Sequence, residues 1–465
     1  MYLLLKVPMQ TYSKIYRNVL FPFYETIVKR RNTLSYLKEL EYNQWRPEKE
    51  LRIIQWNKLS SLLRHAYEKV PYYRDKFMQH NVNPSKILTP EDFRKIPFLT
   101  KSDIQSNGAA LIAENYIDRN LCKNETGGST GEPINFVYPR ESYEWRIAAA
   151  ARSNRWAGWD FGMKTTVLWG RPVSPISKIK QAKLTLHNGF MRRQFINAFD
   201  LSEASLKGYL QKINRYRPLI IEAYVSLIYT IAKFAKMTNM MVIKPKAIIA
   251  SAETLHDYQR ELIESVFECK VFNRYGCSEM MLVAAECGEH TGLHLNLDNI
   301  YIEFLKDNIP VKEGELGEIV LTDMNNYGMP FIRYKIGDIG VPSGKTCACG
   351  RGLPLTERVE GRTMDILLGK NGKFIQPQAF CFLFREFDWI KQYQIVQERK
   401  GSLLFNIIRN RDFSDIERNL FLRRVREVVK DDVDLDIKLT NEIPLSDSGK
   451  YRVVISKVPI EFGNN

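Results

Sequence analysis

The chain has 465 residues, 44% of them hydrophobic and 26% charged, proportions that are typical of a globular protein with more than one domain. No uninterrupted apolar run approaches the roughly 20 residues that a membrane-spanning helix requires, so we expect no transmembrane helix. The 68 basic and 53 acidic residues give a formal charge of +15, which favours an anionic partner such as a nucleotide, a membrane face or an acidic polysaccharide. The sequence lacks zinc-finger spacing and an aromatic RNA-binding signature, so nucleic acid is not an expected partner.

Residues 1–50 form a basic, aromatic N-terminal extension. Between Met1 and Leu37 there are six basic residues and one acid, Glu25, interleaved with aromatic and aliphatic residues. This mixture predicts either a segment on an anionic membrane surface or an arm that packs on the protein body. The apolar start, Met1–Pro8, is too short for a secretory signal, and no small-residue cleavage site follows it. We therefore expect a cytoplasmic protein, with peripheral association at the inner face of the membrane as an alternative.

A glycine-rich run follows the first predicted helix. Apolar residues at helical spacing predict that helix from Glu50 to Glu68, and Pro71 ends it. The run itself is Thr126-Gly127-Gly128-Ser129-Thr130-Gly131-Glu132-Pro133. Its glycines and hydroxyl residues predict a loop, which holds an anion if its bare N–H groups point into a small concavity. A plain connecting loop has the same composition, so the run alone leaves both interpretations open.

Strands and helices alternate after this loop. Glu141–Gly158 predicts an alanine-rich helix, and Thr165–Gly170 predicts a short strand. Three more helices are predicted at Glu203–Arg217, Ala223–Met237 and Asp257–Phe267, and short apolar strands at Leu219–Ile221, Ala247–Ala250 and Val271–Asn273. This alternation predicts an α/β domain, in which ligands bind at the carboxyl ends of the strands.

The pattern changes beyond Gly361. Strands predicted at Ile300–Leu305 and Glu318–Asp323 still precede this point. After it come a β-hairpin, a charged helix and an alternating strand, predicted at Tyr393–Arg399 with Leu403–Arg409, Phe413–Val429 and Val433–Leu439. We therefore predict a large α/β domain over 51–362 and a small α+β domain over 363–465.

Five further runs stand out: two follow predicted strands, a third comes later, a fourth lies at the domain boundary and a fifth near the end of the chain. They are Ser251-Ala252-Glu253, Tyr275-Gly276-Cys277-Ser278-Glu279, Tyr334-Lys335-Ile336-Gly337-Asp338, Val359-Glu360-Gly361-Arg362 and Pro444-Leu445-Ser446-Asp447-Ser448-Gly449-Lys450. With the glycine loop, and in this order, they resemble the motifs of the adenylate-forming enzymes, the superfamily of acyl-CoA synthetases, peptide-synthetase adenylation domains and luciferases. Within it the sequence is most similar to the phenylacetate–CoA ligase and CapK (capsular polysaccharide biosynthesis) branch, which Val70-Pro71-Tyr72-Tyr73-Arg74 also resembles. The resemblance extends from about Glu50 to Lys450.

The resemblance implies a site for ATP and an acid. The loop from Thr126 to Gly131 would hold the β- and γ-phosphates, and Glu279 would bind Mg²⁺, which prefers carboxylate and phosphate oxygens. Tyr275 would stack on adenine beside Ala252 and Glu253. The other ATP-binding candidates are Ser251, Gly276, Cys277 and Ser278, with Asp338 and Arg362 on the ribose. The acyl-pocket candidates are Tyr224, Val225 and Ser226.

Lys450 is the catalytic candidate that the resemblance implies. Attack of a carboxylate on the α-phosphate builds negative charge on the transferring group and the leaving pyrophosphate, and a cation stabilises that charge. Lysine is a flexible point charge that reaches in from a mobile domain. Rotation of the small domain at a hinge near Asp365 would bring Lys450 in for adenylation and remove it afterwards.

Three departures from the family pattern bear on the acceptor. Ile134 follows Pro133 where many superfamily members have a lysine, and Met364-Asp365 leaves one acid of an expected pair. The segment from Leu368 to Lys373 differs from the loop that leads into the CoA-binding region of the ligases. The acceptor is thus either CoA or an amine or hydroxyl of a polysaccharide precursor, and the departures favour the CapK side.

The seven cysteines suggest a metal site rather than disulfides, because their number is odd and we expect no secretory signal in this sequence. Cys347 and Cys349 in a tight turn, with Cys287 and His294, would make a Cys₃His set that is common for structural zinc. The phenylacetate–CoA ligase branch has cysteine and histidine at similar positions. Buried free thiols are the alternative, and His290 is a substitute ligand.

The sequence therefore predicts an ATP- and Mg²⁺-dependent ligase that activates a carboxylic acid as its acyl-adenylate and passes the acyl group to an acceptor. Surface polysaccharide biosynthesis and aryl- or acyl-CoA formation are the two expected settings. A non-catalytic nucleotide-binding subunit of a polysaccharide assembly complex is the rival from another class. The residues do not identify the acid.

Overall fold

The structure is a computed structural model, and it describes residues 9–117, 119, 121–126, 134–169, 178–198, 203–362, 367–371, 374–375, 380, 383–429, 432–444 and 452–458. The chain divides into two compact units that meet in sequence between Val359 and Glu360, and the segment Gly337–Ile339 groups with the second unit. The domain limits predicted from the sequence, 1–50, 51–362 and 363–465, remain predictions.

The N-terminal part of the first unit is helical and packs on its body. Tyr16 and Phe21 are buried, and the ring of Phe21 stacks on Phe161 with a centroid distance of 4.0 Å. These residues lie in and beside two π-helical segments, Tyr16–Leu20 and Phe23–Val28. The α-helices of this part are α1 (Met9–Ile15), α2 (Thr33–Asn43), α3 (Glu48–Lys69), α4 (Pro71–Gln79), α5 (Pro90–Phe93) and α6 (Lys101–Asn107).

Pro71 ends one helix and begins the next. Val70 before it has extended dihedral angles, φ −113° and ψ 109°, which is the conformation that a following proline favours. Pro71 then takes the first position of α4, where a missing N–H costs no hydrogen bond. The predicted end of α3 is confirmed, but the sequence pattern did not indicate α4.

A 12-stranded mixed sheet forms the centre of the first unit. Its strands are β3 (Thr165–Trp169), β4 (Arg193–Asn197), β5 (Ile220–Tyr224), β6 (Ala247–Ser251), β7 (Lys270–Tyr275), β8 (Ala284–Glu286), β9 (Leu293–Leu295), β10 (Ile300–Lys306), β11 (Ile309–Pro310), β12 (Gly317–Asp323), β13 (Tyr334–Ser343) and β14 (Leu355–Arg362). Their order is β11-β10-β12-β13-β14-β9-β8-β7-β6-β5-β3-β4. A separate hairpin pairs β1 (Cys122–Glu125) with β2 (Asn135–Tyr138).

The neighbours β4-β3-β5-β6-β7 are all parallel, as the alternation of strands and helices predicts. Their apolar side chains pack on α9, α10 and α11 on one face, and α7 lies against the other face. These helices are α7 (Arg140–Trp156), α8 (Lys178–Phe190), α9 (Glu203–Tyr216), α10 (Val225–Met237) and α11 (Asp257–Phe267). The α/β class is therefore confirmed, and Gly337-Asp338 lie inside β13 rather than in a turn.

The second unit contains a four-stranded sheet covered by a helix. Its order is β19-β18-β17-β20, with β17 (Ile390–Gln397) and β18 (Ser402–Arg409) antiparallel and β19 (Asp434–Leu439) and β20 (Val454–Ser456) parallel to their neighbours. Helix α12 (Asp415–Val429) contributes Phe421 and Val425 to the buried core of this unit. A short pair, β15 (Leu367–Leu368) and β16 (Phe374–Ile375), completes the strands. The predicted hairpin, helix and last strand are confirmed. Among the described helices, none is both long and apolar enough to cross a bilayer.

Candidate active site and cysteine–histidine cluster

The carboxyl ends of three neighbouring parallel strands bring the predicted site residues together. Tyr224, the last residue of β5, is in register with Ser251, the last residue of β6, and Ser251 is in register with Arg274 of β7. Tyr275 ends β7, so the loops that follow these strands begin at one edge of the sheet. Ligands bind at this edge in open parallel sheets, as the sequence predicted.

The loop after β6 is tied to the start of α10. Glu253 accepts hydrogen bonds from the backbone N–H and the hydroxyl of Ser226, at 2.6 and 2.9 Å. A carboxylate in this position also stabilises the positive end of the helix dipole. Ala252 between the strand and Glu253 has φ +70°, a left-handed conformation that a non-glycine residue adopts at a cost. The candidate acyl-pocket and adenine-pocket residues therefore form one connected structure.

The loop after β7 is shaped by a close backbone approach at Gly276. A Cβ at this position would lie 2.0 Å from the Met281 carbonyl oxygen, so only glycine fits. The N–H of Met281 donates to the Cys277 carbonyl at 2.7 Å and closes the turn. Inside this turn the Glu279 carboxylate is 4% exposed and accepts a 2.8 Å hydrogen bond from the Tyr334 hydroxyl.

The β1–β2 hairpin holds the two ends of the glycine-rich run next to each other. The N–H of Thr126 donates to the Ile134 carbonyl at 3.1 Å, and the N–H of Ile134 donates to the Thr126 hydroxyl at 3.0 Å. The Asn124 side-chain amide donates to the Ser278 carbonyl at 3.4 Å, so the hairpin reaches the loop that carries Glu279. Ile134, which replaces the lysine of many superfamily members, is fully buried.

Several predicted residues lie outside the described part of the chain. These are Gly127, Gly128, Ser129, Thr130 and Gly131 of the glycine loop, the hinge candidate Asp365 and the catalytic candidate Lys450. Asp338 is mostly buried in β13. Arg362 ends β14, and its side chain is not described.

The structure brings Cys287, His294, Cys347 and Cys349 together in the first unit. One ligand atom from each lies within 4.8 Å of the other three. The Cys287 and Cys347 sulfurs are 3.5 Å apart, which is far longer than a disulfide of about 2.05 Å. For a tetrahedral zinc with bonds near 2.3 Å, the sulfurs are expected about 3.8 Å apart. The donor set and its spacing therefore fit a zinc ion.

His294 is oriented as a metal ligand. Its Nδ1 is 2.9 Å from the Leu353 carbonyl oxygen, so the ring donates its proton there and leaves the Nε2 lone pair 3.3 Å from the Cys349 sulfur. Burial lowers the pKa of His294, which favours the neutral form that binds metals. His290 has another role, because its Nδ1 faces the Glu286 carboxylate at 3.2 Å.

Sequence reasoning missed the N-terminal residues that support this cluster. Gln44 accepts hydrogen bonds from the Trp156 indole at 2.8 Å and the Gly352 N–H at 2.9 Å. The Arg351 guanidinium lies between Trp45 and Trp156, 4.8 and 5.0 Å from their ring centroids. The cysteine-containing turn is therefore fixed against the segment that follows α2. Tyr334 was likewise missed as a partner of Glu279.

Comparison with known proteins supports the same class. Residues 367–457 match the model of the CapK C-terminal domain. Over 446 residues the chain is 25% identical to protein CapK of Staphylococcus aureus, which covers 93% of this chain and 94% of that protein. It is 26% identical over 444 residues to a phenylacetate-coenzyme A ligase of Thermus thermophilus, with coverage of 88% and 97%. The fold is similar to that of a 2-hydroxyisobutyryl-CoA ligase in complex with an acyl-adenylate, with a TM-score of 0.70, 20% identity and coverage of 89% and 91%.

These similarities support the predicted class, the ATP-dependent, adenylate-forming acid ligases. Within that class, its resemblance to the phenylacetate–CoA ligase and CapK branch is also confirmed.

Proposed function

We propose that the candidate residues at the edge of the sheet join ATP and a carboxylic acid into an acyl-adenylate with release of pyrophosphate. One observation carries this proposal: Glu279 is a buried carboxylate whose described partner is the neutral Tyr334 hydroxyl. No lysine or arginine of the described residues lies within ion-pair distance of it. A buried carboxylate without a cation is costly, and Mg²⁺ would supply that charge. When bound, the ion would neutralise phosphate charge.

The other residues have distinct roles in this proposal. The loop from Thr126 to Gly131 holds the phosphates, and Tyr275 with Ala252 and Glu253 binds adenine. Asp338 and Arg362 bind the ribose. Tyr224, Val225 and Ser226 contact the acyl group, and Lys450 stabilises the charge that develops on the α-phosphate.

The proposed acceptor is a surface-polysaccharide precursor. The similarity to CapK along the whole chain, and the match of residues 367–457 to its C-terminal domain, support this choice. CoA is the alternative, since phenylacetate-coenzyme A ligases are similar relatives.

Pyrophosphate exchange with a panel of acids tests the adenylation step, and product analysis with CoA or a glycan amine tests the acceptor. Exchange that depends on an acid supports the proposed function. Formation of a thioester but no glycan conjugate would reassign the chain to the CoA ligases.

We further propose that the Cys287, His294, Cys347 and Cys349 cluster holds a structural zinc ion. Cys287 follows β8 and His294 lies in β9, which pairs with both β8 and β14. The loop with Glu279 connects β7 to β8. A metal bound by Cys287, directly after β8, would therefore fix the strand to which this loop leads. The zinc would be structural, since all four ligands come from the protein.

We also propose that the chain associates peripherally with a membrane through its N-terminal segment. Val19, Phe23 and Ile27 recur every four residues along the π-helical segments and are 57–61% exposed. The one acid among residues 9–31, Glu25, is buried and pairs with Arg31 at 3.3 Å.

Helix α8 adds further exposed apolar residues next to the N-terminal segment that carries Val19, Phe23 and Ile27. It contains no acid, and its Ile179 and Leu186 are more than 70% exposed. Its Phe190 ring lies 4.8 Å from the Tyr24 ring, which joins α8 to the N-terminal segment. Apolar side chains in basic surroundings are the composition that binds anionic lipid.

A further inference from the structure

Arg274 is a buried arginine with no carboxylate oxygen closer than 3.8 Å among the residues that the structure describes. Three other buried arginines of the first unit, Arg146, Arg152 and Arg333, each have a carboxylate oxygen 2.7–3.1 Å away. The oxygen at 3.8 Å from the Arg274 guanidinium belongs to Glu222, although the Arg274 side chain is only 15% exposed. Its charge is therefore less completely neutralised than that of the three structural arginines.

The side-chain hydrogen bonds of Arg274 within the described part of the chain are to neutral groups. Its Nη1 donates to the Asn154 amide oxygen at 3.2 Å, and its Nε donates to the Ser251 hydroxyl at 3.5 Å. Glu222 is also shared, because the guanidinium of Arg193 lies 3.4 Å from the same carboxylate oxygen. Two guanidiniums and one carboxylate leave a net positive charge. Burial lowers the pKa of Arg274, Glu222 raises it and Arg193 lowers it again, as expected for a cation short of negative partners.

The place of Arg274 in the sheet links this charge to the acyl group. Arg274 is in register with Ser251 and, through it, with Tyr224, so the three side chains share one face at the carboxyl edge. The following residue, Tyr275, points to the opposite face because side chains alternate along a strand. The ring of Trp169 packs on Tyr224 at a centroid distance of 4.1 Å and extends the same row.

We propose that Arg274 binds a second anionic group of the acid substrate, at the end opposite the carboxylate that is adenylated. The substrate class is then an acid that also carries a second carboxylate or a phosphate. This inference rests on the proposed function. The guanidinium is planar and offers paired N–H donors that suit carboxylate and phosphate oxygens. Asn154 of α7 is a positioning residue that accepts a hydrogen bond from the guanidinium, and Glu222 of β5 is a neighbouring carboxylate that competes with the substrate anion.

The test measures pyrophosphate exchange with matched pairs of acids: succinate against butyrate, and 3-phosphoglycerate against glycerate. We expect kcat/KM at least tenfold higher for the acid with the second anionic group in one pair, and which pair responds identifies the carboxylate or the phosphate. Arg274→Met should reduce this preference at least tenfold through KM. Glu222→Gln should strengthen binding of the acid with the second anionic group, because it removes the competing carboxylate. A structural role alone does not give opposite effects in the two variants.

Preference for butyrate and glycerate, or an unchanged preference in Arg274→Met, overturns the inference while leaving adenylation intact. Absence of exchange with every acid would instead contradict the proposed function. In that event calorimetry with the same acids tests the inference without catalysis. Tighter binding of succinate or 3-phosphoglycerate than of its monocarboxylate partner to the wild type, and loss of that difference in Arg274→Met, supports the inference. Equal binding of both members of each pair refutes it.

Discussion

The hydroxyl of Tyr334, at the start of β13, donates a 2.8 Å hydrogen bond to Oε1 of Glu279 in the loop after β7. Both side chains are buried, so the bond fixes the orientation of a carboxylate that cannot relax into water. The proposed magnesium ligand, Glu279, is therefore held by a residue of β13, a strand that lies far from the Glu279 loop in sequence.

Tyr334→Phe removes this donor with little change in volume. Hydrogen bonds to charged groups contribute about 1.5–3 kcal/mol, so we expect about a tenfold loss of pyrophosphate exchange and a higher Mg²⁺ requirement. A magnesium titration of the exchange rate measures both. Tyr73→Phe is the control, because it removes a similar buried hydroxyl that bonds Pro330 instead. It should lower the melting temperature without changing the magnesium requirement. An unchanged requirement in Tyr334→Phe would argue against Glu279 as the magnesium ligand.

Gly276→Ala should distort the loop that holds Glu279. The new methyl would lie 2.0 Å from a backbone oxygen, which cannot move aside as a side chain does. We expect a loss of about 1–3 kcal/mol in the free energy of unfolding together with lower exchange activity. Gly208→Ala is the matched control: it lies in α9 with nothing within 4 Å of the new methyl, and the substitution should stabilise slightly. Equal melting temperatures for both variants would contradict the tight turn.

Lys450→Ala should lower the rate of adenylate formation about 10²–10³-fold, because it removes a cation from the charge developing at the α-phosphate. Binding of ATP to the first unit should persist, as measured by calorimetry. Lys450→Arg keeps the charge with a different shape and should recover only part of the rate. Full activity of the alanine variant would remove Lys450 from the mechanism.

Zinc content tests the cysteine–histidine cluster directly. The purified protein should carry about one zinc per chain by elemental analysis, and chelation should lower its melting temperature. Cys349→Ser should lose most of the metal. Cys269→Ser, a thiol that is not part of the cluster, should keep it. A metal-free protein that is equally stable with and without added zinc would favour free thiols.

Membrane binding can be measured by sedimentation with vesicles of phosphatidylglycerol and phosphatidylcholine. The wild type should bind the anionic vesicles and lose that binding at high salt, since the basic residues are screened. Replacing Val19, Phe23 and Leu186 by serine should weaken binding about tenfold or more. Replacing Met237 and Met241, which are 73% and 83% exposed and lie elsewhere in the first unit, is the control. Concentration-dependent dimers without vesicle binding would show that a second copy covers this surface instead.

Local patterns predicted the fold well because they depend on near neighbours in sequence. The helix at Asp257–Phe267 has the predicted bounds, since its apolar spacing and flanking residues determine it. Strand β7 is longer than expected because it extends to Arg274 and Tyr275, whose side chains are polar or aromatic. The short strands β8 and β9 were missed, since three residues carry too little periodicity.

Long-range contacts could not be inferred in this way. Tyr334 and Glu279 are 55 residues apart, and no spacing rule pairs a tyrosine with a carboxylate at that distance. The cysteine–histidine set was predicted through chemical type and the family resemblance. Its support by Gln44 has no sequence signal, because no local pattern links a glutamine to a residue 307 positions later in the chain.

The contact between Gln44 and the cysteine-containing turn has a consequence for biosynthesis. Gln44 and Arg351 are 307 residues apart, so their hydrogen bond forms only after most of the chain has been made. Contacts of such separation slow folding, and the turn after α2 remains open to proteases or chaperones meanwhile. A nascent chain stopped before Cys347 should therefore be cleaved more readily at Gln44 and Trp45 than the full chain, whereas α2 itself already packs on α7.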